Sequence, residues 1–179
     1  MLTKTMKSDR LILRPWQLPT DKESFFQIYQ NSEVTYFLPR IRQLATDIES
    51  LNAHFSERLP TIRNQGNGSD WWAMIDRKNN QIIGSIILQN LPDNYGYPTP
   101  DSEIGWHLRR DYWGQGYITE AAKVILEYGL ITLQLPIIYA VVNPDNYRSI
   151  RVTERLGMQS MGLTNKYYDT EALLFSIKA

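Results

Sequence analysis

The stretch that decides the fold is Arg110-Asp111-Tyr112-Trp113-Gly114-Gln115-Gly116-Tyr117, which links a predicted strand to a predicted helix. Apolar side chains follow it at helical spacing, at positions 118, 121, 122, 125, 126 and 129. The two glycines therefore fall where free backbone N–H groups and the positive end of the helix coincide, which favours phosphate oxygens. Glycine also permits positive φ angles and leaves room for a diphosphate. A tight strand-to-helix connection without a ligand would explain the same two residues.

The two common nucleotide motifs do not match this turn. A P-loop requires Gly-Lys-Ser or Gly-Lys-Thr after a four-residue spacer, and Thr119 stands where a dinucleotide fingerprint needs its third glycine. Nucleotide hydrolysis and hydride transfer therefore lose support.

Upstream of the turn, the sequence predicts strands and helices in alternation. A strand over 10–16 ends at Pro15, and capping-box patterns at Thr20 and Thr46 begin two helices. These run roughly to Gln30 and to just before Pro60. Two β-rich runs, 71–76 and 81–88, predict a hairpin, and the proline-rich stretch 91–100 predicts a loop.

Downstream, the pattern predicts a helix after the turn, a strand over 137–142, a helix ended by Gly157, and closing strands near 158–163 and 171–177. The order predicts one α/β domain over 1–179, with a mixed sheet flanked by helices. With 42% hydrophobic and 21% charged residues, the chain has the composition of a globular protein.

Charge and cysteine content exclude several function classes. Nineteen basic residues balance nineteen acidic ones, so there is no overall field to attract nucleic acid or an anionic membrane. The chain has no cysteine and only two histidines, so we expect no metal site and no thiol nucleophile. Because no uncharged apolar run approaches about 20 residues, we expect a cytoplasmic protein without a membrane span.

Three separate stretches resemble one known family. Glu103-Ile104-Gly105-Trp106 followed by Tyr112-Trp113-Gly114-Gln115-Gly116-Tyr117-Ile118-Thr119-Glu120-Ala121 resembles the acetyl-CoA motif of GNAT acetyltransferases, most closely in their RimJ/RimL-like branch. Asn146-Tyr147-Arg148-Ser149-Ile150-Arg151, Leu156-Gly157-Met158 and the opening Arg10-Leu11-Ile12-Leu13-Arg14 are also similar to that family. One departure is Asp111, where the family's broad pattern has Gln or Arg.

The resemblance implies a fold and a cosubstrate. The expected fold is a central mixed, mostly antiparallel sheet of six to seven strands with about four helices, and the expected cosubstrate is acetyl-CoA. The resemblance implies that the strand containing Trp106, His107, Leu108 and Arg109 pairs with the pantetheine arm. It further implies that Asn146 contacts pantetheine. The residues implied for the pyrophosphate site are Gly114, Gln115, Gly116, Tyr117, Ile118 and Thr119.

The resemblance also implies catalytic roles. Glu103 is the candidate general base, directly or through water, with a pKa raised by partial burial. Ser149 is the candidate donor of a proton to the leaving thiolate, and Tyr147 is the alternative. Each residue also has a purely structural reading: Glu103 as a solvated carboxylate at a strand end, and Asn146 with Ser149 as a helix cap. We expect the His107 side chain to be packed or at the surface.

The acceptor implied by the resemblance is a primary amine, possibly a protein N-terminal α-amine. A small amine such as a polyamine, an amino acid or an antibiotic is an alternative. A different class of function is a non-catalytic sensor that binds acyl-CoA. The exposed sheet edge near the C-terminus is compatible with a monomer or a homodimer.

Overall fold

The computed structural model describes residues 5–18, 20–65 and 67–178, which form one eight-stranded sheet and five α-helices. The strands are β1 (Met6–Lys7), β2 (Leu11–Pro15), β3 (Asp70–Asp76), β4 (Gln81–Pro92), β5 (Pro98–Leu108), β6 (Ile137–Val142), β7 (Gln159–Thr164) and β8 (Ala172–Lys178). The helices are α1 (Lys22–Tyr29), α2 (Pro39–Leu44), α3 (Ile48–Arg63), α4 (Tyr117–Glu127) and α5 (Tyr147–Arg155). None of them is long and apolar enough to cross a lipid bilayer.

The sheet is antiparallel except at one pair of strands. Its order is β1-β2-β3-β4-β5-β6-β8-β7, and among the described strands only β5 and β6 run parallel. This confirms the expected mixed, mostly antiparallel sheet. The described residues contain slightly more elements than expected because β1, of two residues, and α2, of six, are too short for a periodic signal.

The start of α1 differs from the predicted capping box. The helix begins after Asp21, which makes no side-chain capping bond. Instead, its carboxylate accepts from the Arg14 guanidinium at 2.6 and 2.8 Å and from the Gln17 N–H at 2.9 Å. The prediction that Thr20 caps this helix is therefore wrong, because the nearby arginine orders the acidic residue instead.

Both ends of α3 also differ from the prediction. Asp47, rather than Thr46, accepts the Ser50 N–H at 2.7 Å. The helix continues through Pro60 to Arg63, so the predicted stop before the proline is wrong. Pro60 is exposed, so water can satisfy the carbonyl that loses its partner, while continuation buries Ile62.

The predicted hairpin of β3 and β4 is confirmed, but the loop predicted over 91–100 is largely strand. β4 extends to Pro92 and β5 begins at Pro98, so a turn of only five residues joins them. Pro92 pairs with Pro98 at the tip, beyond the body of the sheet, where a strand tolerates a residue without an N–H.

Two apolar layers cover the two faces of the sheet. Side chains of α4, among them Ala121 and Ile125, pack on one face with Ile104 and Leu108 of β5. Side chains of α1 and α3 pack on the other face. Because strand side chains alternate, consecutive residues of β5 reach different layers. Glu103 and His107 therefore lie on the α3 side, and Trp106 lies on the α4 side.

Gly84 of β4 allows close approach of β4 to β5. A Cβ at Gly84 would lie 2.4 Å from the His107 carbonyl oxygen and 3.2 Å from the Leu108 Cα. We expect Gly84→Ala to lower the free energy of unfolding by roughly 2 kcal/mol, measured by urea denaturation. Gly105→Ala is the matched control, since its Cβ would meet only Ile87 at 3.6 Å. Equal losses in both variants would contradict this account.

Candidate active site

A gap opens in the sheet where β5 and β6 diverge. Their pairing joins Ser102 with Ile138 and Glu103 with Tyr139, whereas β4 accompanies β5 as far as Leu108. Beyond residue 104, the β6 side of β5 therefore has no strand partner among the described residues. Backbone polar groups on this side are free to bind a ligand.

The strand register determines which backbone groups face the gap. The Arg109 N–H donates to the Ile83 carbonyl at 2.8 Å, so odd-numbered residues of β5 direct their N–H and C=O groups toward β4. Trp106 and Leu108 consequently face the gap. The Leu108 carbonyl accepts the Trp113 indole N–H at 2.8 Å. Both backbone groups of Trp106 and the N–H of Leu108 remain for a ligand.

His107 directs its backbone toward β4 and its side chain into the α1 and α3 layer. Its ring packs edge-on against Tyr29 and Trp71, and the Tyr29 hydroxyl lies 3.0 Å from Nδ1. Burial lowers the pKa of His107 to about 4, so the imidazole is neutral at pH 7. This is the packed histidine that the alternation of the strand predicts.

The glycine turn presents free N–H groups at the start of α4. Gly114 and Gly116 have φ angles of 75° and 80°, and no atom lies within 4 Å of a Cβ placed at Gly114. Gly116 is the N-cap and contributes no side-chain capping bond. Tyr117 and Ile118 bury their side chains, so these two residues can contact a ligand mainly through their backbone. Free N–H groups at a helix start suit an anion, so the anion site at this turn stays a prediction.

Arg10, Arg110 and Arg148 lie near the turn, and glutamates neutralise the first two through ion pairs of 2.6 and 3.0 Å. The guanidinium groups of Arg110 and Arg148 lie 4.7 and 4.6 Å from the ring centre of Trp113. Arg10 donates to the Gln115 carbonyl at 3.0 Å. Because Arg148 forms no ion pair among the described residues, it is the arginine here whose charge favours a phosphate-bearing ligand.

The first turn of α5 lies beside Trp106. The Asn146 side chain accepts the Ser149 N–H at 3.2 Å, so Asn146 caps the start of α5 as the structural alternative predicts. The Ser149 hydroxyl accepts the Trp106 indole N–H at 3.3 Å. Tyr147 is 68% exposed. No hydrogen bond joins Ser149 to Glu103 in the described chain, because Glu103 lies on the opposite face of β5.

Glu103 is a buried carboxylate, 6% exposed, and not a solvated strand end. Its Oε1 accepts the Gln89 amide N–H at 2.8 Å and the Tyr168 hydroxyl. Gln89 is held in turn by the Trp71 indole, which donates to its Oε1 at 2.9 Å. Burial raises the pKa of Glu103 to about 7, and the hydrogen bonds from Tyr168 and Gln89 oppose this rise.

Gln89 and Tyr168 are the site residues that the sequence did not indicate. Gln89 is a polar residue after the apolar run of β4 and lies directly opposite Glu103 in the register. The sequence does not reveal this register, because the prolines of 91–100 predict a longer loop than the five-residue turn between β4 and β5. Tyr168 belongs to an irregular loop and carries no local signal of a contact 65 residues away.

The chain matches known proteins over most of its length. The acetyltransferase (GNAT) domain family matches residues 10–159. YnaD of Bacillus subtilis, named as an uncharacterized N-acetyltransferase, is 27% identical over 157 residues, 88% of this chain and 84% of that protein. A GNAT-family acetyltransferase from Bacillus anthracis superposes with a TM-score of 0.75, 23% identity and 98% of both chains covered. RimL, a ribosomal L7/L12 α-N-protein acetyltransferase solved with coenzyme A, has a TM-score of 0.78 at 14% identity over 98% of both chains.

The raised pKa of Glu103 should make stability depend on pH. Its ordinary value of 4.5 applies to the unfolded chain, so the folded state binds the extra proton between pH 4.5 and about 7. Stability from this group is full below pH 4.5 and is lost as the pH rises through 7. Relative to wild type, we expect Glu103→Gln to gain on the order of 3 kcal/mol between pH 4.5 and pH 8 in urea denaturation. A pH-independent difference would contradict the raised pKa.

Proposed function

Because this chain belongs to the acetyltransferase (GNAT) family, we propose that it transfers an acetyl group from acetyl-CoA to a protein N-terminal α-amine. The family match confirms the expected N-acetyltransferase, and RimL among the structural neighbours agrees with the RimJ/RimL-like resemblance. The observation that carries the proposal is the gap between β5 and β6, with free Trp106 backbone on its edge and buried Glu103 at its closed end.

The free groups around the gap fit the polar parts of acetyl-CoA. The Trp106 carbonyl and the Leu108 N–H can pair with the pantetheine amides, as an added strand would. The Asn146 amide nitrogen can donate to pantetheine while its oxygen caps α5. The exposed turn and the uncapped start of α4 suit the pyrophosphate, with contacts from Gly114, Gln115, Gly116, Tyr117, Ile118 and Thr119.

The catalytic residues would act from both faces of β5. Bound acetyl-CoA supplies the thioester, whose carbonyl carbon forms a bond to the amine nitrogen while its bond to sulfur breaks. Glu103 takes the proton that the amine nitrogen loses, directly or through water. The Trp106 N–H can donate to the carbonyl oxygen as negative charge develops. Ser149 accepts the Trp106 indole N–H, so its own hydroxyl proton is free to reach the departing sulfur, and solvent takes the proton from Glu103 and returns one to Ser149.

The basicity of Glu103 favours an α-amine as acceptor. An N-terminal ammonium has a pKa near ~7.8, about one unit above that of Glu103, so proton transfer is only slightly uphill. A lysine-like or polyamine ammonium, with a pKa near ~10.4, lies about three units above it. Arg58 of α3 adds a positive charge that acts on Glu103, which does not suit a polycation. A small primary amine is the second candidate acceptor.

We expect Glu103→Gln to reduce kcat/KM by roughly 100-fold or more, because the amide cannot accept the proton from the acceptor amine. Thiol release from acetyl-CoA is measured with N-terminal peptides, a lysine-only peptide blocked at its N-terminus, and spermidine. Glu127→Gln is the matched control, since this residue is exposed at the end of α4. We expect N-terminal peptides to turn over fastest in wild type.

Other outcomes would redirect the assignment. Preference for spermidine or free amino acids would replace the protein acceptor with a small amine. Coenzyme A binding without turnover of any amine would favour a sensor. Full activity of the Glu103→Gln variant would remove Glu103 from the role of base.

We expect Gly114→Ala to weaken coenzyme A binding about tenfold in isothermal titration calorimetry, because alanine disfavours the φ of 75° that aims the turn at phosphate. Gly162→Ala is the control, since Gly162 has a φ of 83°, equally open surroundings and a position on the edge strand β7. Similar losses of thermal stability are expected in both. Unchanged affinity of the Gly114 variant would place the pyrophosphate elsewhere.

A further inference from the structure

Tyr168 connects the β7–β8 loop to the candidate base in the middle of the sheet. Its hydroxyl contacts Glu103 Oε1, the oxygen that also accepts from Gln89 at 2.8 Å. Oε2 accepts no hydrogen bond from the described residues. Among the described residues, Asn52 Oδ1 is the only fully buried side-chain polar atom without a hydrogen-bond partner. Glu103 Oε2 has no such partner either, so it is not fully buried and keeps some contact with solvent. The two oxygens of one carboxylate are thus in different surroundings.

The loop holds Tyr168 in a conformation that few residues adopt. Tyr168 and Asp169 have φ angles of 62° and 52°, in the left-handed region, which for a residue other than glycine costs about 1 kcal/mol each. Asn94 in the β4–β5 turn ties the loop down on both sides. It donates to the Asn165 carbonyl at 2.9 Å and accepts the Asp169 N–H at 3.1 Å.

A second anchor separates the roles of two adjacent tyrosines. Tyr167 is 2% exposed and donates to Asp101 at 2.6 Å, and Lys166 reaches the same carboxylate oxygen at 2.8 Å. Tyr168 is 36% exposed, and its hydroxyl reaches Glu103 instead. Tyr167 therefore fastens the loop to β5, and Tyr168 contacts the candidate base.

We propose that Tyr168 is a positioning residue for Glu103, which saturates Oε1 together with Gln89 and leaves Oε2 to receive the proton of the acceptor amine. The inference rests on the proposed role of Glu103 as base and adds a residue to it. A carboxylate held by two donors on one oxygen cannot rotate freely, so the free oxygen keeps one direction.

The groups around Glu103 indicate how the contact acts on its charge. Gln89 of β4 is a neutral neighbour of Glu103, and Tyr139 is the residue paired with Glu103 on β6. Arg58 of α3 is the cation that acts on the Glu103 carboxylate. The negative charge of Asp101, two positions earlier on β5, is engaged by Lys166 and Tyr167.

The hydroxyl of Tyr168 stays protonated under all working conditions, because burial and the charge of Glu103 raise its pKa well above the ordinary value of 10. A permanent donor stabilises the ionised form of Glu103, so the contact lowers the pKa of that carboxyl. Loss of the hydroxyl should therefore raise the pH at which the base becomes active.

The test is the pH profile of kcat/KM for Tyr168→Phe between pH 6 and pH 9. We expect its acidic limb to move up by about one unit, which reduces kcat/KM roughly eightfold at pH 6.5 and little at pH 9. Tyr167→Phe is the matched control, since it removes the neighbouring hydroxyl without touching Glu103. We expect its profile to follow wild type even if its melting temperature falls.

A titration without turnover separates this inference from the proposed function. The Glu103 carboxyl is followed by ¹³C NMR of glutamate-labelled protein and assigned by its absence in Glu103→Gln. A higher pKa of Glu103 in Tyr168→Phe supports the contact between the two residues, whether or not Glu103 is the base. Retained activity of Glu103→Gln would contradict only the proposed role of Glu103 as base. An unchanged titration and pH profile, or an equal loss at every pH, would overturn the positioning role.

Discussion

The divergence of β5 from β6 is the constraint on which the rest of the site depends. Two register pairs hold the one parallel contact among the described strands, and beyond them no described strand pairs with that side of β5. Buried backbone polar groups need partners, so the opening is suited to a ligand that pairs like a strand. The same divergence leaves one side of β5 open near Trp106, where the first turn of α5 contacts it through Ser149.

A buried carboxylate next to this opening is costly unless its charge is supported. Glu103 is supported by Gln89, which Trp71 orients, and by Tyr168, so burial and hydrogen bonding act in opposite directions on its pKa. The result is a carboxyl group that is about half ionised at neutral pH. The support comes from three separate parts of the chain, β3, β4 and the β7–β8 loop.

Local sequence patterns predicted the strand and the helix that flank the glycine turn. Two glycines followed by apolar residues at helical spacing predicted α4, and the alternation of β5 predicted that His107 packs away from Trp106. Predictions were wrong where distant contacts overrode local preference: Arg14 binds Asp21, so Thr20 does not cap α1, and the burial of Ile62 continues α3 through Pro60. The β4–β5 strands extend past their prolines because the tip of a hairpin tolerates missing donors.

The sequence by itself determined the family, the strand-turn-helix at Gly114 to Gly116, and the identity of Glu103 and Ser149 as candidates. The family and the two candidates follow from the resemblance of short motifs, and the strand-turn-helix follows from glycine positions and helical spacing, all of which are local in the sequence. The tertiary structure alone decided that Ser149 contacts Trp106 while Glu103 lies on the other face, and that Gln89 and Tyr168 meet on one carboxylate oxygen. Those contacts join residues 14 to 65 positions apart, and strand register and loop conformation, which no local pattern encodes, bring them together.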